Sequence, residues 1–181
     1  MWHLGPERQD DLFLWRYMDT AKFVTVILSG SLHLTRLDHF TDDSEGRFSD
    51  PAFEFMEKSR DALRVAFKEV TGAPEGVLDL IFENVGAVGQ EDIFRRGTCA
   101  CSWYTGEDED PTMWSEYGDV AIKSRLGLLD ASLRNEPRML TTGEVAYADA
   151  KQDPHFLARF GAQSFTKDAG TYRHENEIRL T

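Results

Sequence analysis

Two glutamates, Glu175 and Glu177, stand two positions apart in the segment YRHENEIRL near the end of the chain. Successive side chains of a β-strand alternate between its faces, so a strand here would place Glu175, Glu177 and Arg179 on one face. A carboxylate held beside a developing positive charge stabilises a transition state, and a second carboxylate can act on an incoming group. The spacing alone favours an ordinary solvated strand face. The segment therefore indicates either a carboxylate site or a charged surface.

The composition is that of a globular protein. The 181 residues are 41% hydrophobic and 12% aromatic, which is enough for one domain, 1–181, with a full core. The net charge of −12 argues against a protein that coats nucleic acid, because such binding depends on Lys and Arg. The negative net charge does not exclude a local basic pocket that binds a dinucleotide. We find no stretch as long as a membrane span and no signal-peptide pattern, and we expect a cytoplasmic protein without a membrane partner.

The cysteines and histidines do not form a metal-binding pattern in the sequence. Cys99 and Cys101 would lie on one strand face, which is a poor geometry for a disulfide. We expect them to be small buried residues of a reduced protein. His174 has no evident partner, and the other histidines are scattered, so no metal is predicted.

Hydrophobic periodicity and capping residues predict an α+β domain with a mixed or antiparallel sheet core. Pro51 and Gly72 mark the two ends of a long helix. The predicted strands are 12–18, 31–40, 98–105, 119–124, 143–150 and 174–180. The predicted helical segments are 19–30, 51–72, 75–86 and a helix and loop over 153–165, with a helical turn within 106–118 and a short helix after Ser124. The helices between 51 and 97 are interpreted as a helical insert.

Four motifs, in the right order, resemble the bacterial DUF2971 domain family. The segment LWRYMDTAKFVTVILSGSLHLTRLDHFTDDSEG resembles the family's opening, including a loop with Phe40, Asp42, Glu45 and Gly46. CSWYTGEDEDPTMWSEYGDVAIKS resembles its middle stretch, and VAYAD and FTKDAGTYRHENEIRL resemble its last motifs. The resemblance covers about 12–50 and 98–181, and the helical insert carries no motif of the family.

A more distant resemblance is to ADP-ribosyltransferase-like folds, which carry an Arg or His, a Ser-centred motif and a terminal Glu-x-Glu strand. Arg16, Ser124 and Glu175-x-Glu177 occur here in that order. The resemblance implies a split sheet and an NAD-cleaving site, with NAD as substrate. Arg16 would hold the phosphate or ribose of NAD, and Ser124 would contact the nicotinamide ribose. Glu177 would stabilise the cation that forms as nicotinamide leaves, and Glu175 would activate the acceptor.

Several aromatic residues could stack on the nicotinamide or the adenine, namely Trp15, Tyr17, Trp114 and Tyr117. For Trp114 and Tyr117 the alternative is a place in the core, which their three-residue spacing favours. For Arg16 the alternative is a structural pairing with a carboxylate such as Glu45. Asp42 and Glu45 are expected to cap or fix their loop, and the alternative for them is a catalytic role.

Three functional hypotheses follow. The first is an NAD-binding ADP-ribosyltransferase or NAD glycohydrolase of the toxin or phage-defence type. Its acceptor would be an unidentified protein or nucleic acid, and the sequence does not decide whether the chain is catalytically active. The second is a non-enzymatic module that binds a nucleotide or a protein, in which closed salt bridges would hold Arg16 and the two glutamates. The third and weakest is a metal-dependent nuclease built on Asp42, Glu45 and Glu175.

The position of the last strand generates one further expectation. Both families that the chain resembles continue beyond the terminal Glu-x-Glu strand into another strand. Here Thr181 follows Glu177 by four residues, so we expect the last strand to lie at a sheet edge. An exposed edge could support self-association.

Overall fold

A computed structural model describes residues 2–4, 10–148 and 162–181 of the chain. Two compact units are distinguished. The sheet unit comprises Met1–Thr35, Cys99–Ala146 and Gly170–Thr181, and the helical unit comprises Arg36–Thr98 and Tyr147–Ala169. The prediction of a single domain over 1–181 stays a prediction. No helix within the described residues is both long and apolar enough to cross a lipid bilayer.

Strands and helices follow one another in mixed order. The strands are β1 Trp2–Leu4, β2 Phe13–Met18, β3 Thr35–Arg36, β4 Cys99–Thr105, β5 Val120–Arg125, β6 Thr141–Glu144, β7 Ala146–Ala148, β8 Thr166–Asp168 and β9 Glu177–Leu180. The helices are α1 Thr20–Ser29, α2 Asp50–Thr71, α3 Glu75–Phe82, α4 Ala87–Gly97, α5 Pro111–Tyr117, α6 Leu126–Ser132 and α7 Ala169–Tyr172. Short 3₁₀ turns span Leu37–His39, Ala162–Phe165 and Arg173–Glu175.

The main sheet has the strand order β1-β6-β9-β4-β2-β5, with β3 as an additional strand. The pairs β2–β4, β2–β5, β4–β9 and β6–β9 are antiparallel, and β1–β6 is parallel. Strands β7 and β8 form a separate two-stranded sheet. The predicted α+β class is confirmed, whereas the ADP-ribosyltransferase-like arrangement of the sheet stays a prediction.

The C-terminal strand lies inside the sheet, between β4 and β6, and pairs with both. The expectation of an edge strand available for self-association is therefore wrong. The physical reason is that β1 and β6 extend the sheet beyond β9, so its backbone hydrogen-bonding groups are used on both sides.

Apolar residues cover both faces of the sheet, because alternate residues of each strand point to opposite sides. One face carries a buried cluster that α6 helps to cover, comprising Leu14, Cys101, Trp103, Leu126, Leu129, Ile178 and Leu180. On the other face Trp15 and Tyr17 pack with Met113 of α5. Both faces of β2 are therefore buried, which explains its nearly continuous apolar sequence.

The long helix α2 begins and ends where the sequence predicts. Pro51 lies in its first turn, where a missing backbone N–H costs no hydrogen bond, and Gly72 adopts a left-handed conformation after its last turn. Arg64 ties α2 to α3 through ion pairs of 2.7 Å to both Glu75 and Asp79. The predicted helical insert at about 51–97 thus contains α2, α3 and a further helix, α4, for which no separate element was predicted.

Three other predicted elements differ from the structure. The predicted strand 31–40 is reduced to β3 and a 3₁₀ turn, in which the backbone N–H of Leu37 donates to the carbonyl of Thr98. The predicted strand 143–150 is divided between β6 and β7, which belong to different sheets; residues 149–150 lie outside the described residues. Most of the predicted helix 153–165 also lies outside them, and its described end is the 3₁₀ turn at Ala162–Phe165.

Gly118 ends α5 with φ +140°, and a Cβ atom there would lie 2.3 Å from the carbonyl oxygen of Met18. We predict that Gly118→Ala lowers the free energy of unfolding by about 3 kcal/mol, because it adds a backbone clash to an unfavourable conformation. Gly30→Ala is the matched control: its φ is +61° and its Cβ would meet nothing within 4 Å, so a loss of about 1 kcal/mol is expected. Urea unfolding followed by tryptophan fluorescence measures both, and equal losses would contradict the clash.

Candidate functional site

The strand register separates the predicted site residues into two groups on opposite faces of the sheet. Glu177 pairs with Tyr104, which pairs with Trp15, so these three side chains share one face. Ser124 pairs with Leu14, and Arg16 alternates with Trp15, so Ser124 and Arg16 lie on the other face. The structure therefore does not bring Arg16 and Ser124 together with Glu177.

Arg16 is half-buried on the face that carries the Leu14 cluster. Its Nη1 donates a 2.7 Å hydrogen bond to the backbone carbonyl of Ser102. Ser124 is half-buried on the same face, and its hydroxyl makes only a long contact of 3.5 Å with the carbonyl of Arg125. Both side chains therefore have local backbone partners in the sheet.

Glu177 and Arg179 form an ion pair inside the sheet unit. An Nη2–Oε2 distance of 2.9 Å joins them, and the exposed fractions of the side chains are 6% for Glu177 and 0% for Arg179. The two residues share a face of β9 because they are two positions apart. Glu177 and Arg179 share a strand face as predicted. The Glu177 carboxylate is bound by the buried guanidinium of Arg179 and does not face an open site.

Glu175 does not lie on the strand with Glu177, which corrects the predicted strand 174–180. Glu175 ends a 3₁₀ turn, and Asn176 follows with φ +37°, so the chain changes direction between the two glutamates. The Glu175 side chain is completely buried, and its Oε1 accepts a hydrogen bond from the Tyr117 hydroxyl. Burial, this hydrogen bond and the nearby carboxylates raise the pKa of Tyr117 far above the usual value for a tyrosine.

Tyr17 and Trp114 belong to the aromatic core on the Glu177 face. Their rings pack edge to face with centroids 5.1 Å apart, and the Tyr17 hydroxyl accepts a 3.0 Å hydrogen bond from the backbone of Asp110. The Trp114 indole donates to Glu109 at 3.0 Å. Burial raises the pKa of Tyr17. The core interpretation of Trp114 therefore fits its contacts better than a stacking platform does, and Tyr17 belongs to the same core cluster.

A histidine and two glutamates converge at the C-terminal end of α5. The His174 Nε2 lies 3.1 Å from the Glu116 Oε2. One ligand atom from each of Glu116, His174 and Glu175 lies within 4.8 Å of the other two. The sequence does not predict this group, because Glu116 is 58 positions before His174 and no spacing pattern links them.

An open cavity of about 680 Å³ lies in the sheet unit beside the turn that separates the two glutamates. Asn176 fixes this turn: its Nδ2 donates to the Thr105 carbonyl at 2.8 Å, and its own carbonyl accepts from the Thr105 N–H at 2.9 Å. The residues that line the cavity are Asp10, Asp11, Leu12, Phe13, Thr105, Gly106, Glu107 and Asn176.

The loop at 42–45 and strand β8 meet in the helical unit. Lys167 and Glu45 lie 3.4 Å apart, and both are buried, with exposed side-chain fractions of 7% and 1%. Asp42 accepts hydrogen bonds from the backbone N–H and the hydroxyl of Ser44, at 2.8 and 2.7 Å. Asp42 and Glu45 therefore fix their loop, as one of the two interpretations expected. The nuclease hypothesis loses support, because Glu45 is held by a lysine.

Comparisons with known proteins give no relative. No protein-family model matches the chain, and no curated protein or solved structure matches it either. The resemblance to DUF2971 domains and to ADP-ribosyltransferase-like folds therefore rests on sequence motifs alone and stays a prediction.

We predict that stability falls as the pH rises above about 10, and that Tyr117→Phe makes this fall less steep. The pKa of Tyr117 is raised in the folded protein, and the pKa values of Tyr17 and Tyr104 are raised as well. The unfolded chain therefore loses these protons first, so the stabilisation is complete below pH 10 and is lost above it. Urea unfolding of both proteins between pH 8 and 11 measures the slopes, and parallel slopes would contradict the shifted pKa of Tyr117.

Proposed function

We propose that this chain is a small-molecule-binding module whose ligand occupies the cavity beside Asn176. The cavity itself carries the proposal. Its volume of about 680 Å³ falls within the range of roughly 300–1,000 Å³ that is usual for small-molecule sites. Its lining combines apolar side chains, Leu12 and Phe13, with polar groups from Thr105 and Asn176.

The lining favours a ligand with a positive charge and an aromatic or apolar body. Three carboxylates, Asp10, Asp11 and Glu107, border the cavity, and the described lining includes no Lys or Arg. Arg125 offsets the charge of Asp11 through a 2.8 Å ion pair, whereas Lys123 donates to the backbone carbonyl of Glu107 and not to its carboxylate. Lys123 and Arg125 also lie over the Phe13 ring, 4.5 and 4.9 Å from its centroid, so the three carboxylates exceed these two nearby cations by one charge. This excess disfavours a diphosphate only weakly.

The state of the two glutamates supports binding over catalysis. Glu177 is held by the buried Arg179, and Glu175 accepts a hydrogen bond from Tyr117. Neither arrangement leaves the open carboxylate pair that the cleavage of NAD would use. Arg16, the predicted ligand of the NAD phosphate, lies on the opposite face of the sheet from Glu177. The NAD-cleaving hypothesis stays a prediction. The ion pair of Glu177, the hydrogen bond of Glu175 and the position of Arg16 on the opposite face argue against it.

Benzamidine, an aromatic cation, tests the proposal against its neutral isostere benzamide. We expect benzamidine to bind at millimolar concentrations and to shift the backbone amide resonances of Thr105, Gly106 and Asn176. Glu107→Gln should weaken binding about tenfold, because it removes one charge-assisted contact. Asp108→Asn is the matched control, since Asp108 is the exposed neighbour of Glu107 and does not line the cavity.

NAD serves as the competing ligand in the same experiment. We expect neither resonance shifts at the cavity nor release of nicotinamide in the presence of millimolar NAD. Nicotinamide release that is lost in Glu177→Ala would support the enzyme hypothesis and overturn the binding module. Equal binding of benzamide and benzamidine, or equal effects of Glu107→Gln and Asp108→Asn, would contradict the cationic ligand.

A further inference from the structure

The group formed by Glu116, His174 and Glu175 has the donor set and the geometry of a metal site. The three ligand atoms lie within 4.8 Å of one another, and the imidazole nitrogen of His174 is 3.1 Å from the Glu116 carboxylate. Ligands bound at about 2.1 Å in a tetrahedral site are roughly 3.4 Å apart. Small side-chain rotations would therefore bring all three atoms to bonding distance of one ion.

The three side chains differ in exposure: one is buried and held in place, and two are open to solvent. Glu175 is completely buried. The exposed side-chain fractions of His174 and Glu116 are 36% and 43%, so an ion can reach the group from their side. A metal site needs both a supported ligand and such a path.

The surroundings of the group favour a cation. Tyr117 donates its hydroxyl hydrogen to Glu175, and a hydrogen bond of this kind orients a ligating carboxylate. The group adjoins the C-terminal end of α5, where backbone carbonyls concentrate partial negative charge. The two carboxylates and these carbonyls all contribute negative or partial negative charge to the group.

We propose that Glu116, His174 and Glu175 bind a divalent first-row transition-metal ion. One imidazole and two carboxylates match the preferences of ions such as Zn²⁺, whereas Mg²⁺ and Ca²⁺ prefer oxygen ligands alone. Three protein ligands leave a fourth position for water or a ligand, as in metal sites that act on substrates. This site is independent of the cavity beside Asn176, since none of the three ligands lines it.

Titration calorimetry of the chain with Zn²⁺ tests the proposal, after removal of any polyhistidine tag and of bound metal by a chelator. We expect one Zn²⁺ per chain in the wild type and much weaker binding of Mg²⁺. Glu116→Gln and His174→Ala should each weaken Zn²⁺ binding about 100-fold. Tyr117→Phe, which removes the hydrogen bond that orients Glu175, should weaken it about tenfold. Circular dichroism establishes that each variant is folded.

The control variant is His39→Ala. His39 also lies near a carboxylate, with 3.9 Å between its Nε2 and the Oδ1 of Asp38, but it does not belong to the proposed site. Its loss should leave Zn²⁺ binding unchanged. The visible spectrum of bound Co²⁺ gives a second readout, which should be lost in His174→Ala and kept in His39→Ala. Absence of stoichiometric Zn²⁺ binding, or equal binding by wild type, Glu116→Gln and His174→Ala, would overturn the proposal.

Discussion

The ion pair between Glu177 and Arg179 is the interaction on which the centre of the sheet unit depends. Both side chains are almost completely removed from water, and transferring a lone charge to such a place costs several kcal/mol. Each charge is therefore stabilised by the other in the buried interior of the sheet unit. Since β9 pairs with β4 on one side and β6 on the other, a loss of this pair would disturb both sheet neighbours.

The ion pair of Glu177 and the turn at Asn176 together determine which roles the two glutamates can have. The left-handed conformation of Asn176 turns the chain between the two glutamates, so Glu177 enters the sheet while Glu175 lies under Tyr117. The motif thus separates into a structural carboxylate and a carboxylate that faces His174 and Glu116. Because the two glutamates are separated, they do not form a pair that could cleave a substrate. Ligand binding is therefore proposed for the neighbouring cavity, and metal binding for Glu175.

Local sequence patterns predicted the features that depend on neighbouring residues. The order of elements indicated an α+β fold, Pro51 and Gly72 marked the ends of α2, and strand alternation placed Glu177 and Arg179 on one face. The turn at Asn176 was missed because asparagine also occurs in other backbone conformations, so one asparagine within a polar segment does not specify a left-handed residue. The prediction of an alternating strand through Glu175 failed for that reason.

Features that depend on distant strands could not be read from one sequence. Whether Arg16 and Glu177 share a face is decided by the registers of β2 on β4 and of β4 on β9, and a shift by one residue would reverse the answer. The central position of β9 likewise depends on β6 and β1. The contact between His174 and Glu116 also depends on how α5, which carries Glu116, packs against the sheet.

A double-mutant cycle at Glu177 and Arg179 tests the central claim most directly. The free energy of unfolding is measured in urea for the wild type, Glu177→Gln, Arg179→Met and the double variant, with the fluorescence of the tryptophans of the sheet unit as signal. We predict that Arg179→Met alone costs about 3–5 kcal/mol and that the two substitutions are coupled by about 1–3 kcal/mol. Losses that add to within about 0.5 kcal/mol would contradict the account and would leave Glu177 available for another role.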